Sequence, residues 1–562
     1  MATQFSVWRR ASRKSARAGR APIVVATFSF IAIAIAIAML VVAPAARAHG
    51  IPAPRRCAEL ATLRFPDTTV TSAAVNTSGR FTVPPGQGGP GHTPPGAVLT
   101  GLPGFCSVAL VRTNPPSHDE IHVEVWMPLT TWNGRFQGVG GGGYVAGISW
   151  TALARAVRSG YSTASTDTGH PADQSDGSFA LNASDNVNRP AITDFAYRAI
   201  HEMTVTGKGV TADFYRSTAR YSYFNGCSTG GRQALAEAQR YPHDYDGIAA
   251  GAPALYFAHL SAAQLWPQLV MLRAHDFLPR CKLAAFREAV IMKCDALDGV
   301  TDGVIGNLAD CRSSPLSVVG TSTPCGIITR TDARVMEQIW QGPRATGEAG
   351  GSVRFLWYGL EPGSDTRFLA GTSPTGIGSP LYIATAWFQY WLTRNPAFDW
   401  RSLTTGTFVQ LFTQGVREFD LLATDNPDLT SFRNAGGKIV LWTGMSDPLI
   451  PPQGVIRYYN NVVQQMGGQA GTAEFARLFL APGVGHCGGV GTTAPVPADP
   501  LGAVRNWVEN RVAPVSIQAI TADPDGTVIE SRPVCNYPLV ARYVGRGSTG
   551  EAASFHCART FS

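Results

Sequence analysis

The stretch "YSYFNGCSTGGRQALAEAQRYP", Tyr221 to Pro242, constrains the fold more than any other part of the chain. A short aromatic, strand-prone run passes into Gly226-Cys227-Ser228-Thr229-Gly230. Residues with helical spacing follow at once, and Pro242 stops them. The pentapeptide fits G-x-S-x-G, which puts a serine on a sharp strand-to-helix turn, with small neighbours that let the turn approach the sheet and the next helix. A serine hydroxyl is a weak nucleophile until a base takes its proton. The turn therefore predicts a base, and an acid to orient it, further along the chain.

The surrounding pattern supplies a sheet. "IHVEVWMP", "RFQGVGG" and "GYSTASTD" read as strands, "AITDFAYRAIHEMTVTGKGV" as a helix and "GIAAGAP" as a short buried strand. The rhythm breaks between about Leu255 and Asp425 and resumes at "KIVLWTG" and "ARLFLAPG". Strands alternating with helices predict the α/β class with a mainly parallel sheet. The break predicts a large inserted lid domain. The expected organisation is 1–48 leader, 49–255 first part of the core, 256–425 lid and 426–562 second part of the core.

A parallel sheet gathers functional loops beyond the C-terminal ends of its strands. "KIVLWTGMSDP" places Asp447 just past one strand, and "LFLAPGVGHCGG" places His486 just past the next. The order Ser, Asp, His is the one this turn calls for. Ser228 is the candidate nucleophile, His486 the base and Asp447 its orienting acid. Cys227 precedes the serine and Cys487 follows the histidine, so a Cys227–Cys487 disulfide would hold the two reactive groups in register. The backbone N–H of Thr229, directly after the serine, is the first candidate donor to the oxyanion of a tetrahedral intermediate. The second is expected from the glycine loop "GVGGGGY". Gly138 to Gly143 also matches G-x-G-x-x-G, but the loop opens no clear helix, so the dinucleotide reading is weak.

Residues 1–48 carry six basic residues between Arg9 and Arg20, an apolar run from Ile23 to Ala43, and Ala46-Arg47-Ala48. That is the layout of a secretory signal peptide, so the protein is expected to be secreted or periplasmic, with no membrane attachment after cleavage. The leader's seven basic residues account for the whole formal charge of +7. The remainder is neutral and gives no reason to expect a nucleic-acid partner. All ten cysteines lie beyond the leader. An even count in an exported chain favours disulfides, and no C-x-x-C pair suggests a zinc site. "CDALDGVTDGVIGNLADC" crowds Asp295, Asp298 and Asp302 between two cysteines. Carboxylates so close repel one another unless a hard cation with oxygen ligands joins them.

Together "WNGRFQGVGGGG", "STDTGH", "FNGCSTGGRQAL", "YDGIAAGAP", "CDALDGVTDGVI", "GMSDP", "PGVGHCGG" and "RPVCNYPLVARYVGRG" resemble the tannase and feruloyl esterase family of α/β-hydrolases, which also includes mono(hydroxyethyl) terephthalate hydrolases. The resemblance covers most of residues 55–560 and implies an α/β-hydrolase core with an inserted lid. It also implies the Cys227–Cys487 bridge, Gly143 as the second oxyanion donor, and a structural calcium held by Asp295, Asp298 and Asp302 with the Val300 and Val304 carbonyls.

The remaining cysteines are then expected as Cys57–Cys106, Cys294–Cys311 and Cys535–Cys557, with Cys281 left for Cys325. The implied activity is serine ester hydrolysis on aromatic esters: feruloyl first, galloyl (tannase) second, terephthalate half-esters third. Half-ester members use a lid arginine for the free carboxylate, and Phe368 to Thr393 contains no Lys or Arg. Trp387, Phe388, Tyr390 and Trp391 are the expected lining of the acyl pocket, with packing of the lid core as the alternative for half or more of them. A non-catalytic binding protein on the same fold is the rival from another class. It would be favoured by a lost triad member, and none is lost. A peptidase on the same fold is a further rival.

Overall fold

The computed structural model describes residues 55–85, 93–117, 119–144, 147–170, 176–345 and 353–559. The expected leader lies outside them. Among the described residues nine strands form one sheet. In chain order they are β1 (Thr68–Asn76), β2 (Phe105–Asn114), β3 (Asp119–Pro128), β4 (Arg135–Val139), β5 (Ser162–Thr166), β6 (Tyr221–Cys227), β7 (Gly247–Gly251), β8 (Lys438–Gly444) and β9 (Ala476–Ala481). Their order across the sheet is β1-β2-β3-β5-β4-β6-β7-β8-β9. From β5 to β9 every pairing is parallel, and β1, β2 and β3 add an antiparallel wing.

The parallel part is buried because helices cover both of its faces. Every residue of β5 and β7 is buried. The edge strand β1 shows only intermediate and exposed positions. The covering helices include α1 (Trp150–Arg158), α2 (Ala199–Tyr215) and α3 (Thr229–Arg240), with α9 (Pro452–Gln465) and α10 (Pro500–Asn510) later in the chain.

The interruption seen in the sequence is a departure from the sheet. β7 pairs directly with β8, Gly247 opposite Lys438, yet the chain between them runs through α4 (Phe257–Ala263), α5 (Trp266–Ala274), α6 (Arg280–Cys294), α7 (Arg330–Gln341) and α8 (Thr405–Glu418). This excursion is not a separate body: Ile51 to Ser562 form one compact unit. Aromatic packing shows why. Tyr144 and Phe179 from the sheet side meet Trp391 with ring centroids 5.7 and 5.5 Å away.

Beyond β9 the chain adds elements that the alternating pattern did not announce. β10 (Val496–Pro497), β11 (Ser516–Ala522) and β12 (Val528–Cys535) make a small antiparallel sheet, and β13 (Leu539–Tyr543) pairs with β14 (Phe555–Arg559). All ten cysteines are paired: Cys57–Cys106, Cys227–Cys487, Cys281–Cys325, Cys294–Cys311 and Cys535–Cys557. No described helix is long and apolar enough to cross a membrane.

Candidate active site

Ser228 sits at the junction of β6 and α3 with φ 63° and ψ −123°, a conformation costly for a residue with a side chain. Neighbouring backbone holds it there. Its N–H donates to Gly251 O at 3.0 Å, and its carbonyl accepts from Ala254 N at 3.2 Å. The turn closes only because its neighbours lack side chains: a Cβ on Gly226 would stand 2.5 Å from Gly230 O, and one on Gly140 would stand 2.5 Å from Gly230 Cα.

The glycine loop is therefore pressed onto the first turn of α3 and fastened to it. Thr229 Oγ1 donates to Gly143 O at 2.7 Å, Gly230 N to Gly141 O at 2.9 Å, and Gly141 N to Gln233 Oε1 at 3.0 Å. Thr229 is the first residue of α3, so its N–H has no partner within the helix. Thr229 and Gly143, the two expected oxyanion donors, are thus brought into contact.

Two supports of this loop escaped the sequence reading. Gln233 is buried on α3. It shares its buried helix with Arg232 and Glu237, so polarity alone does not single it out. His170, from "STDTGH", donates from Nε2 to Tyr144 O at 2.8 Å and stacks on Phe179. That motif therefore braces the residue after Gly143.

Asp447 and His486 follow β8 and β9. Asp447 is fully buried, at 0 % exposure. Its Oδ1 accepts from the N–H groups of Leu449 and Ile450, both at 2.9 Å, and its Oδ2 accepts from His486 Nδ1 at 2.9 Å. Burial pushes the His486 imidazolium down, but the charge and hydrogen bond of Asp447 outweigh it and hold the group above its ordinary 6.5. The Cys227–Cys487 bridge, with Cα atoms 6.0 Å apart, joins the residue before Ser228 to the residue after His486. Three segments far apart in sequence are thereby fixed at one end of the sheet.

The expected aromatic lining is corrected. Trp387, Phe388 and Trp391 are all 0 % exposed. They pack on one another and on Tyr144, Phe179, Phe408 and Phe419, so they are core. Their helical spacing marks one apolar face, and a face can bury against protein as readily as against a ligand. Tyr390 alone of the cluster turns outward, where its hydroxyl donates to Asp176 at 3.3 Å. A cavity of about 450 Å³ lies near the C-terminal strands, between Met445, Leu480, Val534 and Tyr537, and none of Ser228, Asp447 and His486 lines it.

The aspartate loop is closed by Cys294–Cys311. Asp295 accepts from the N–H groups of Asp302 and Gly303, Asp298 from Val300 N, and Asp302 from Val304 N. One cation answers the three carboxylates: Arg532 donates to Asp302 at 2.5 Å. Burial, then the charges of Asp302 and Asp295, raise the Asp298 carboxyl against the pull of Val300 N–H and Arg532. Val300 and Val304 are buried, and among the described residues no hydrogen bond reaches their carbonyls.

Residues 106–558 match the family model described as "Tannase and feruloyl esterase". A probable feruloyl esterase of Arthroderma benhamiae is 42 % identical over 469 residues, covering 81 % of this chain and 86 % of that protein. Feruloyl esterase B of Aspergillus niger is 30 % identical over 477 residues, covering 81 % and 86 %. The crystal structure of feruloyl esterase B from Aspergillus oryzae superposes with a TM-score of 0.75 at 28 % identity, over 88 % of this chain and 98 % of that one. The chain belongs to the tannase and feruloyl esterase family.

Proposed function

We propose that the protein is a serine carboxylic ester hydrolase acting on esters of phenolic acids, feruloyl esters before galloyl ones. The observation that carries this reading is the Cys227–Cys487 bridge beside the His486–Asp447 hydrogen bond. Nδ1 of His486 is committed to Asp447, so Nε2 is the nitrogen left to take the proton of Ser228. The Ser228 oxygen adds to the ester carbonyl, and the N–H groups of Thr229 and Gly143 receive the oxyanion. His486 then gives its proton to the leaving alcohol, and an acyl-serine forms. Water, deprotonated by the same nitrogen, releases the acid and restores Ser228. Asp447 orients the ring through its hydrogen bond to Nδ1.

The feruloyl preference rests on the relatives. Terephthalate half-esters fit less well. The Phe368–Thr393 segment has no basic residue, and the two arginines that flank it are engaged, Arg367 with Asp365 and Arg394 with Glu418. Purified protein assayed on methyl ferulate, methyl gallate and a peptide panel tests the reading. Ester turnover is expected, with ferulate ahead, and Ser228→Ala should lower it by ~10³-fold or more while the fold persists. A Ser228→Ala protein above a tenth of wild-type activity contradicts the assignment, and cleavage of peptides alone contradicts the substrate class.

We also propose that the lid holds one structural calcium. Three carboxylates, one neutralising arginine and the carbonyls of two buried valines, which no hydrogen bond reaches among the described residues, make a donor set suited to a hard divalent cation. Asp295, Asp298 and Asp302, with the carbonyls of Val300 and Val304, would hold it. Its contribution would be to neutralise and cross-link the loop, away from the reacting groups. The disulfides fit an oxidising compartment, which supports export to the periplasm or the medium.

A further inference from the structure

The far end of the nucleophile helix carries a second cluster. Glu237 lies on α3, nine residues past Ser228, about 13 Å along the helix axis. Among the described residues His201, Glu237 and Asp244 form a group whose ligand atoms all lie within 4.8 Å of one another. They come from three segments: His201 from α2, Glu237 from α3 and Asp244 from the turn before β7. His201 Nδ1 meets Asp244 Oδ2 at 2.6 Å, and the imidazole is stacked on Tyr241 with ring centroids 3.6 Å apart, which fixes its plane.

Glu237 is the anomaly. It is 1 % exposed, and neither carboxylate oxygen has a hydrogen-bond donor. A carboxylate buried in this way is costly unless a cation or a proton answers it. Lys208 does not do so by contact, because its ammonium donates to the carbonyl of Asp244 and lies over the Tyr245 ring. The remaining ways to discharge Glu237 are a proton shared with Asp244 and a metal ion.

We propose that His201, Glu237 and Asp244 bind a divalent transition metal of the zinc class, clamping α2, the C-terminal half of α3 and the approach to β7. The donor set decides the class. One imidazole with two carboxylates suits zinc and its neighbours, whereas calcium takes oxygen throughout. With both carboxylates ionised, the dication cancels their charge. The side chains of His201 and Asp244 are 29 % and 17 % exposed, so an ion can reach Glu237 from solvent. The clamp would stiffen the helix that presents Ser228 without touching the reacting atoms.

The test uses the full secreted chain, stripped with chelator and restored with excess calcium so that the lid loop is supplied. Zinc is then titrated into wild type, Glu237→Gln and His201→Gln, with bound metals counted by elemental analysis and the ion located by anomalous scattering. Wild type should take up zinc at this cluster and melt at a higher temperature with it. Each variant should bind zinc more than ~100-fold more weakly and lose the thermal gain, beyond the ~10–100-fold that loss of an outer-shell partner alone causes, with calcium content unchanged. Absence of zinc from wild type overturns the proposal and assigns the shared proton. Zinc bound equally well by His201→Gln overturns it too, and that variant keeps the test decisive if Glu237→Gln fails to fold.

Discussion

At the residue scale the proposed chemistry depends on one proton. His486 must be neutral to act as a base, and Asp447 holds its imidazolium above the ordinary 6.5 despite burial. The acid limb of kcat/KM should therefore lie above 6.5, and a pH–rate profile whose lower limb falls below that value would refute the assignment of His486 as base. The same shift has a stability consequence of defined sign. A raised folded value favours the charged form in the folded state, so this contribution is fully present below 6.5 and fades as pH rises through the raised value. Denaturant midpoints of wild type and His486→Gln across that interval would show the gap between them narrowing toward alkaline pH. Ser228, Asp447 and His486 were legible as candidates in the sequence because each lies at or shortly beyond the C-terminal end of a strand, and a strand end is a local signal. Gln233 and His170 were not, because what each does depends on a loop that the fold brings to it from elsewhere in the chain.

At the element scale, strand identity was readable where both faces are buried. β8 is a near-continuous apolar run, and β6 leads into the glycine-rich turn. The small C-terminal sheet was not readable. β12 is mostly half-buried or exposed and carries Glu530 and Arg532, so its pairing is set by β11 and not by a pattern of its own. The aromatic helix gives the sharpest lesson. Its composition marked an aromatic cluster, but nothing local distinguishes a ligand from Tyr144 and Phe179 as the thing that buries it. Trp391→Ala should therefore cost about 3–5 kcal/mol of stability, the range for a large core ring, with KM for methyl ferulate little changed. A raised KM in a protein of undiminished melting temperature would return Trp391 to the substrate pocket.

At the scale of the whole molecule, the excursion between β7 and β8 holds the aspartate loop, and its stability should depend on calcium. Chelation is expected to lower the melting temperature of wild type, Asp298→Ala should start near the lowered value, and chelator should then have little further effect on it. A chelator-insensitive wild type with no bound calcium would remove that ion from the account. Cys227–Cys487 has a further, topological consequence. The two cysteines are 260 residues apart, so the bridge closes a covalent ring around the entire excursion, and Cys281–Cys325 and Cys294–Cys311 are smaller rings inside it. A protease that cuts once in the excursion opens the backbone yet leaves the serine-bearing and histidine-bearing fragments as one molecule. Such a nicked enzyme should migrate as a single species and keep turning over ester until a reductant parts the two fragments.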